Sequence, residues 1–146
     1  MENYENEVNI NPSAVMLTIY REFPQMLLDS PIDLKERDSY LKLDSMERVF
    51  TRVAQNSGLL VFKNPLIEEI EYVPNFFVYD PSTDKGKIVD LNISRIKANE
   101  KRYSKRFVKR ELGQIKKIEE MGIPTILLDR EKIVEMYINE KLDIFK

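Results

Sequence analysis

The run VPNFFVYDPSTDKGKIVDLNISRIK, residues 73–97, decides the fold. It holds two β-rich segments, 73–79 and 87–93, dense in Val, Ile, Phe and Tyr and divided by the turn formers DPSTDKG at 80–86. That pattern predicts a β-hairpin with a longer loop. Its polar residues carry the functional interest: Pro74-Asn75 opens the first strand, and Asp90-Leu91-Asn92 lies inside the second. Side chains alternate along a strand, so Asp90 and Asn92 share one face while Val89, Leu91 and Ile93 take the other. A carboxylate inside such a strand needs a partner, a solvent channel or an ion.

Upstream, residues 44–58 predict a helix. Asp44 or Ser45 caps it, Glu47 sits in its first turn, and Gly58 ends it. Met46, Val49, Phe50, Val53 and Ala54 form its buried face, with Glu47 at the edge; alone, Glu47 suits a capping box or the helix dipole better than a metal site, and its place upstream of the hairpin brings the two readings level. Residues 59–63 and 66–72 read as strands. Further upstream, residues 1–11 are a polar, acidic tail, residues 12–28 predict a helix that Pro24 interrupts, and 29–43 form a connection with a short turn of helix.

Downstream, residues 99–121 predict the longest helix, ended by Gly122, with Tyr103, Phe107, Val108, Leu112, Ile115, Ile118 and Met121 in one arc. Its other side is basic, and Glu111 and Gln114 lie within or beside the apolar arc. Residues 124–128, PTILL, read as a strand buried on both faces, and residues 129–140 as a last helix packing Ile133, Val134, Tyr137 and Ile138. The order helix, strand, strand, strand, helix, strand, helix predicts an α/β fold with a central sheet flanked by helices. The chain divides into an N-terminal tail and helical extension, 1–43, and a main domain, 44–146.

Composition narrows the chemistry. The 146 residues are 42% hydrophobic, enough for one domain with a core, and the net charge of −2 names no partner. The chain has neither Cys nor His, which excludes disulfides, thiolate zinc sites, cysteine nucleophiles and the commonest general base. Carboxylate and lysine chemistry remains, the kind that accompanies Mg²⁺ and phosphates. No apolar run approaches the ~20 residues needed to span a bilayer, so the expectation is a soluble cytoplasmic protein, in host cytoplasm if viral.

With its Pro-Asn opening and Asp90-Leu91-Asn92, the hairpin resembles that of the PD-(D/E)XK nuclease superfamily, in which Pro-Asp is followed on the next strand by Asp or Glu, any residue, then Lys. Glu47 on the preceding helix, the basic helix carrying Gln114 and the closing GIP-strand at 122–128 extend the likeness over about two thirds of the chain. The layout is most similar to transposon-end-cleaving endonucleases and phage head-completion nucleases. The resemblance implies a restriction-endonuclease-like core with a mixed central sheet. It also implies a site of Glu47, Asn75, Asp90, Asn92 and Gln114, in which Glu47, Asn75 and Asp90 hold Mg²⁺ for hydrolysis of a DNA phosphodiester.

Two of these positions depart from the motif. Asn75 stands where the superfamily has Asp and Asn92 where it has Lys, so a negative charge and a cation are both missing. The expectation is weakened or lost Mg²⁺-dependent endonuclease activity. Rescue would need a cation from Arg95, Lys97 or Arg110, or a carboxylate from Glu71, Asp80 or Glu111. The alternatives are an active endonuclease with rerouted residues and a protein-assembly module that binds no DNA.

From Arg95 to Lys117 the chain holds ten Lys or Arg against two Glu. That concentration predicts a DNA-backbone footprint through Lys97, Lys101, Arg102, Lys105, Arg106, Lys109 and Arg110, weakly sequence-specific because no base-reading motif accompanies it. A protein partner or homodimer is a further expectation; a membrane is not.

Overall fold

The computed structural model describes residues 12–70, 73–91, 105–140, 142 and 144–145. Helix α1, Pro12–Glu22, is followed by the short strand β1, Met26–Leu27, a five-residue helix α2, Arg37–Leu41, and helix α3, Ser45–Asn56. Strands β2, Leu60–Lys63, β3, Leu66–Ile67, β4, Phe76–Asp80, and β5, Lys85–Asp90, come next. Helix α4, Lys105–Glu120, strand β6, Thr125–Leu127, and helix α5, Arg130–Asn139, complete the order.

Four strands form a mixed sheet in the order β2-β4-β5-β6. The first two pairings are antiparallel and β5 pairs β6 in parallel. The alternation of β4 sorts its side chains onto the two faces. Phe77 and Tyr79 join Phe62, Ile88, Ile19 of α1 and Ile115 and Ile118 of α4 in one core. Phe76 and Val78 join Val61, Val89, Phe50 and Ala54 of α3 and Ile133 of α5 in the other. The result is a mixed sheet flanked by helices on both sides.

The hairpin turns more tightly than its sequence suggests. Asp80 pairs with Lys85, so only residues 81–84 form the loop and Lys85 and Gly86 belong to the strand. Asp84 takes the left-handed conformation, φ 55°, that closes the turn. Of the expected strand 66–72, the described residues 66–70 do not extend the main sheet: β3 is Leu66–Ile67 and pairs antiparallel with β1, placing Met26 opposite Ile67. Strand β6 is an edge strand, and its three residues are half-buried rather than covered on both faces.

Helix α5 buries Ile133 and Met136, not the full set Ile133, Val134, Tyr137 and Ile138. Tyr137 and Ile138 are 52% and 70% exposed. Leu112 of α4 is also exposed, while Ile115 and Ile118, one turn on, are buried. Residues 12–43 pack with the sheet: Ile19, Phe23 and Met26 lie in one core, and Ile32 and Leu43 in the other.

A charge-balanced candidate site between helix α3 and the hairpin

Helix α3 begins at Asp44, whose side chain accepts from the Glu47 amide at 2.9 Å while Glu47 Oε1 accepts from the Asp44 amide at 3.0 Å. This reciprocal capping box satisfies two helix-end donors that would otherwise lack partners. It also fixes the Glu47 backbone and one carboxylate oxygen. The other oxygen is thereby aimed along a defined direction.

Glu47 Oε2 accepts from Lys63 Nζ, at the end of β2, at 2.8 Å. Asn75 Nδ2 lies 3.5 Å from the same oxygen. Glu47 and Asn75 are each only 5% exposed. A buried carboxylate carries a large desolvation cost unless it is paired, and Lys63 is the pair.

Asn75 is held from its other end. Its Oδ1 accepts from the Leu91 amide at 2.6 Å, and because that amide can only donate, the NH₂ group of Asn75 is the one turned to Glu47. The carbonyl oxygen is already engaged by the backbone. Asn75 therefore bridges α3 to the residue that follows Asp90.

Asp90 ends β5 and is fully buried. The pleat puts it on the face of Ile88, the face covered by α1 and α4. Its carbonyl accepts from the Leu128 amide, tying it to the chain after β6. Gln114 lies on α4; its Oε1 is buried with no hydrogen-bond partner among the described residues. Asn92 lies outside the described residues.

Of the expected site residues, Glu47 and Asn75 meet directly, and Asp90 stands one residue from the amide to which Asn75 is bonded. Gln114 makes no hydrogen bond to the Glu47–Asn75 pair. Lys63 is the residue the sequence reading missed. Alternation puts Lys63 on the face of Val61, but only the structure shows that this face packs against the helix carrying Glu47. No group of three or more carboxylates among the described residues could hold a metal ion.

The alternative carboxylates divide by position. Asp80 ends β4 five residues from Asn75, about 17 Å along an extended strand, too far to join the site. Its carboxyl is pushed up by burial, but hydrogen bonds from Ser82 and Thr83 outweigh this and hold it below its usual range. Burial raises Glu111 on α4, only partly offset by the Arg110 charge. Glu71, Arg95 and Lys97 lie outside the described residues.

Of the basic residues read as a DNA footprint, Arg106, Lys109 and Arg110 are exposed on α4, as are Lys116 and Lys117. Lys105 begins that helix, while Lys97, Lys101 and Arg102 lie outside the described residues. No described helix is long and apolar enough to cross a membrane. Comparison of the chain with protein-family models, curated proteins and solved structures finds no match.

Proposed function

We propose that the chain is a DNA-binding protein with a restriction-endonuclease-like core whose Mg²⁺-dependent endonuclease activity is weakened or lost. The observation that carries this reading is the closure of the Glu47 carboxylate by the protein's own groups. Lys63 supplies its counter-charge at 2.8 Å, and Asn75 turns an NH₂ toward it rather than a second negative oxygen. A hard divalent cation needs several oxygen ligands and net negative charge. Here it would have to displace an ammonium and would find one of the three expected oxygens engaged by Leu91.

The exposed Arg106, Lys109 and Arg110 support the DNA half of the reading. Binding is tested by fluorescence anisotropy of a labelled duplex in EDTA, with the chain as given and with Arg106, Lys109 and Arg110 changed to Glu. The reading expects metal-independent binding that falls steeply with salt and is lost in the charge-reversed variant. Binding unaffected by the reversal would contradict it.

A second reading, a protein-assembly module, is favoured by α5. Val134, Tyr137 and Ile138, at i, i+3 and i+4, expose 43%, 52% and 70% of their surface, an apolar stripe on a helix. Sedimentation of the chain with and without Tyr137→Lys and Ile138→Glu distinguishes it: self-association lost in the variant supports this reading, and an unchanged monomer counts against a dimer.

A further inference from the structure

We propose that α5 is a self-pairing surface: its apolar stripe packs against the same stripe of a second copy, antiparallel across a two-fold axis, with Arg130 of each copy against Glu140 of the other. This rests on the assembly reading above and names its partner. Arg130, Val134, Tyr137 and Ile138 fall at i, i+4, i+7 and i+8 of the helix, and all four are exposed. Beside the stripe lies a cavity of about 260 Å³, walled by Tyr137, Ile138 and Glu140 on one side and by Arg52, Val53 and Asn56 of α3 on the other. Glu140, left-handed at φ 51°, ends the helix on that flank.

The two end charges have the wrong sign for their own helix. A helix dipole favours an acidic residue at its N-terminus and a basic one at its C-terminus. Arg130 is the first residue of α5, Glu140 closes its other end, and the last turn holds no basic residue. Both are exposed, and neither makes an ion pair among the described residues. A second α5 laid antiparallel answers both at once. Each Arg130 then meets Glu140 of the other copy, and the two dipoles run in opposite directions.

A two-fold interface meets itself, so one register has to satisfy both ends. Arg130 and Glu140 are ten residues apart, about 15 Å along the helix, and setting one pair opposite sets the other. The axis then passes beside residue 135, with Val134 and Tyr137 of the two copies around it. Glu135 lies off the stripe and pairs with Lys132 of its own helix at 3.8 Å. Helix α5 packs with α3 on one side of the sheet and α4 covers the other, so the pairing leaves the basic face of α4 open. A helix of this length offers less than the ~800 Å² per partner of a standard interface. The dimer is therefore weak and reversible, and the end charges decide its register.

Sedimentation equilibrium at high-micromolar concentration tests this with Arg130→Glu, Glu140→Arg and their equimolar mixture. Both substitutions suit the helix dipole, so melting temperatures should not fall. Symmetry doubles each change: either variant alone sets like charges at both ends and is expected to dimerise about tenfold more weakly than the unmodified chain. Glu140→Arg also takes the net charge from −2 to zero, so a change in general repulsion would strengthen its association instead. In the mixture one variant is acidic at both ends and the other basic at both, and association is expected to return to that of the unmodified chain. Variants that associate as the unmodified chain does, or a mixture no tighter than its components, overturn the inference. If Tyr137→Lys and Ile138→Glu nonetheless abolish association, the assembly reading stands with another register. An unmodified chain that stays monomeric overturns the inference and removes self-association from that reading.

Discussion

Lys63 Nζ, at the end of β2, lies 2.8 Å from Glu47 Oε2 in the first turn of α3, joining a strand and a helix sixteen residues apart through a pair whose carboxylate is almost wholly buried. Breaking one side of such a pair strands the other, whereas removing both does not. Lys63→Met alone should lower stability by about 1–3 kcal/mol, below the ~3–5 kcal/mol of a fully buried pair because Lys63 is partly exposed. The Glu47→Gln, Lys63→Met double variant should return to within about 1 kcal/mol of the unmodified chain. Urea unfolding of the two variants checks this; equal losses in both would mean the pair holds no such balance.

Asn75 gives the site a second test. Asn75→Asp keeps an acceptor for the Leu91 amide but puts a negative oxygen where an NH₂ now faces Glu47, 3.5 Å away. The like charges should destabilise the fold in EDTA, and millimolar Mg²⁺ or Mn²⁺ should restore the loss, because an ion bound only by the folded state stabilises it. The melting temperature of the unmodified chain should not respond to either ion. A variant indifferent to metal would show that the two carboxylates do not share a site.

Gly86 in β5 is required by a close approach rather than by its backbone. A Cβ there would lie 2.3 Å from Phe77 Cζ and 2.9 Å from Phe23 Cε2, rings that pack edge to face at 5.2 Å in the core. Overpacking of this kind costs about 1–3 kcal/mol, and Gly86→Ala should lose that much in denaturant unfolding. Gly113, with open space around its Cα, should accept Ala with a gain of up to about 1 kcal/mol from helix propensity.

Asp80 links the hairpin turn to pH. Burial raises its carboxyl, but Ser82, through its amide at 2.9 Å and hydroxyl at 2.6 Å, and Thr83 bring it below the usual value. A carboxylate depressed in the folded state stabilises above its unfolded pKa, near 3.8, and loses that contribution as pH falls through the folded value. Asp80→Asn should therefore unfold more easily than the unmodified chain at neutral pH, with the gap closing below about pH 4. A gap that persists unchanged in acid would assign the effect to packing instead.

The hairpin, the helix cap at Asp44 and the sheet between helices were legible because each rests on a local signal: β-rich runs, a capping box and alternation of elements. The tight turn was not. Lys85 and Gly86 read as turn formers, yet Lys85 pairs with Asp80, and the packing of Phe77 and Phe23 against Gly86 selects the glycine. Long-range pairing hid the fate of Leu66–Ile67, whose partner, Met26–Leu27, lies about forty residues upstream. At the site, the resemblance to the nuclease hairpin nominated Glu47 and Asn75, and strand alternation singled out Asp90. Lys63 could not be nominated, since a lysine ending a strand reads as solvated until the helix that covers its face is known.

The most direct test of the central claim is plasmid nicking with Mg²⁺ and with Mn²⁺, run on the unmodified chain beside the Asn75→Asp, Asn92→Lys double variant. The charge-closed site predicts that the unmodified chain binds the plasmid without nicking it, and that only the restored variant cuts. Metal-dependent nicking by the unmodified chain, abolished by Asp90→Ala, would contradict the account.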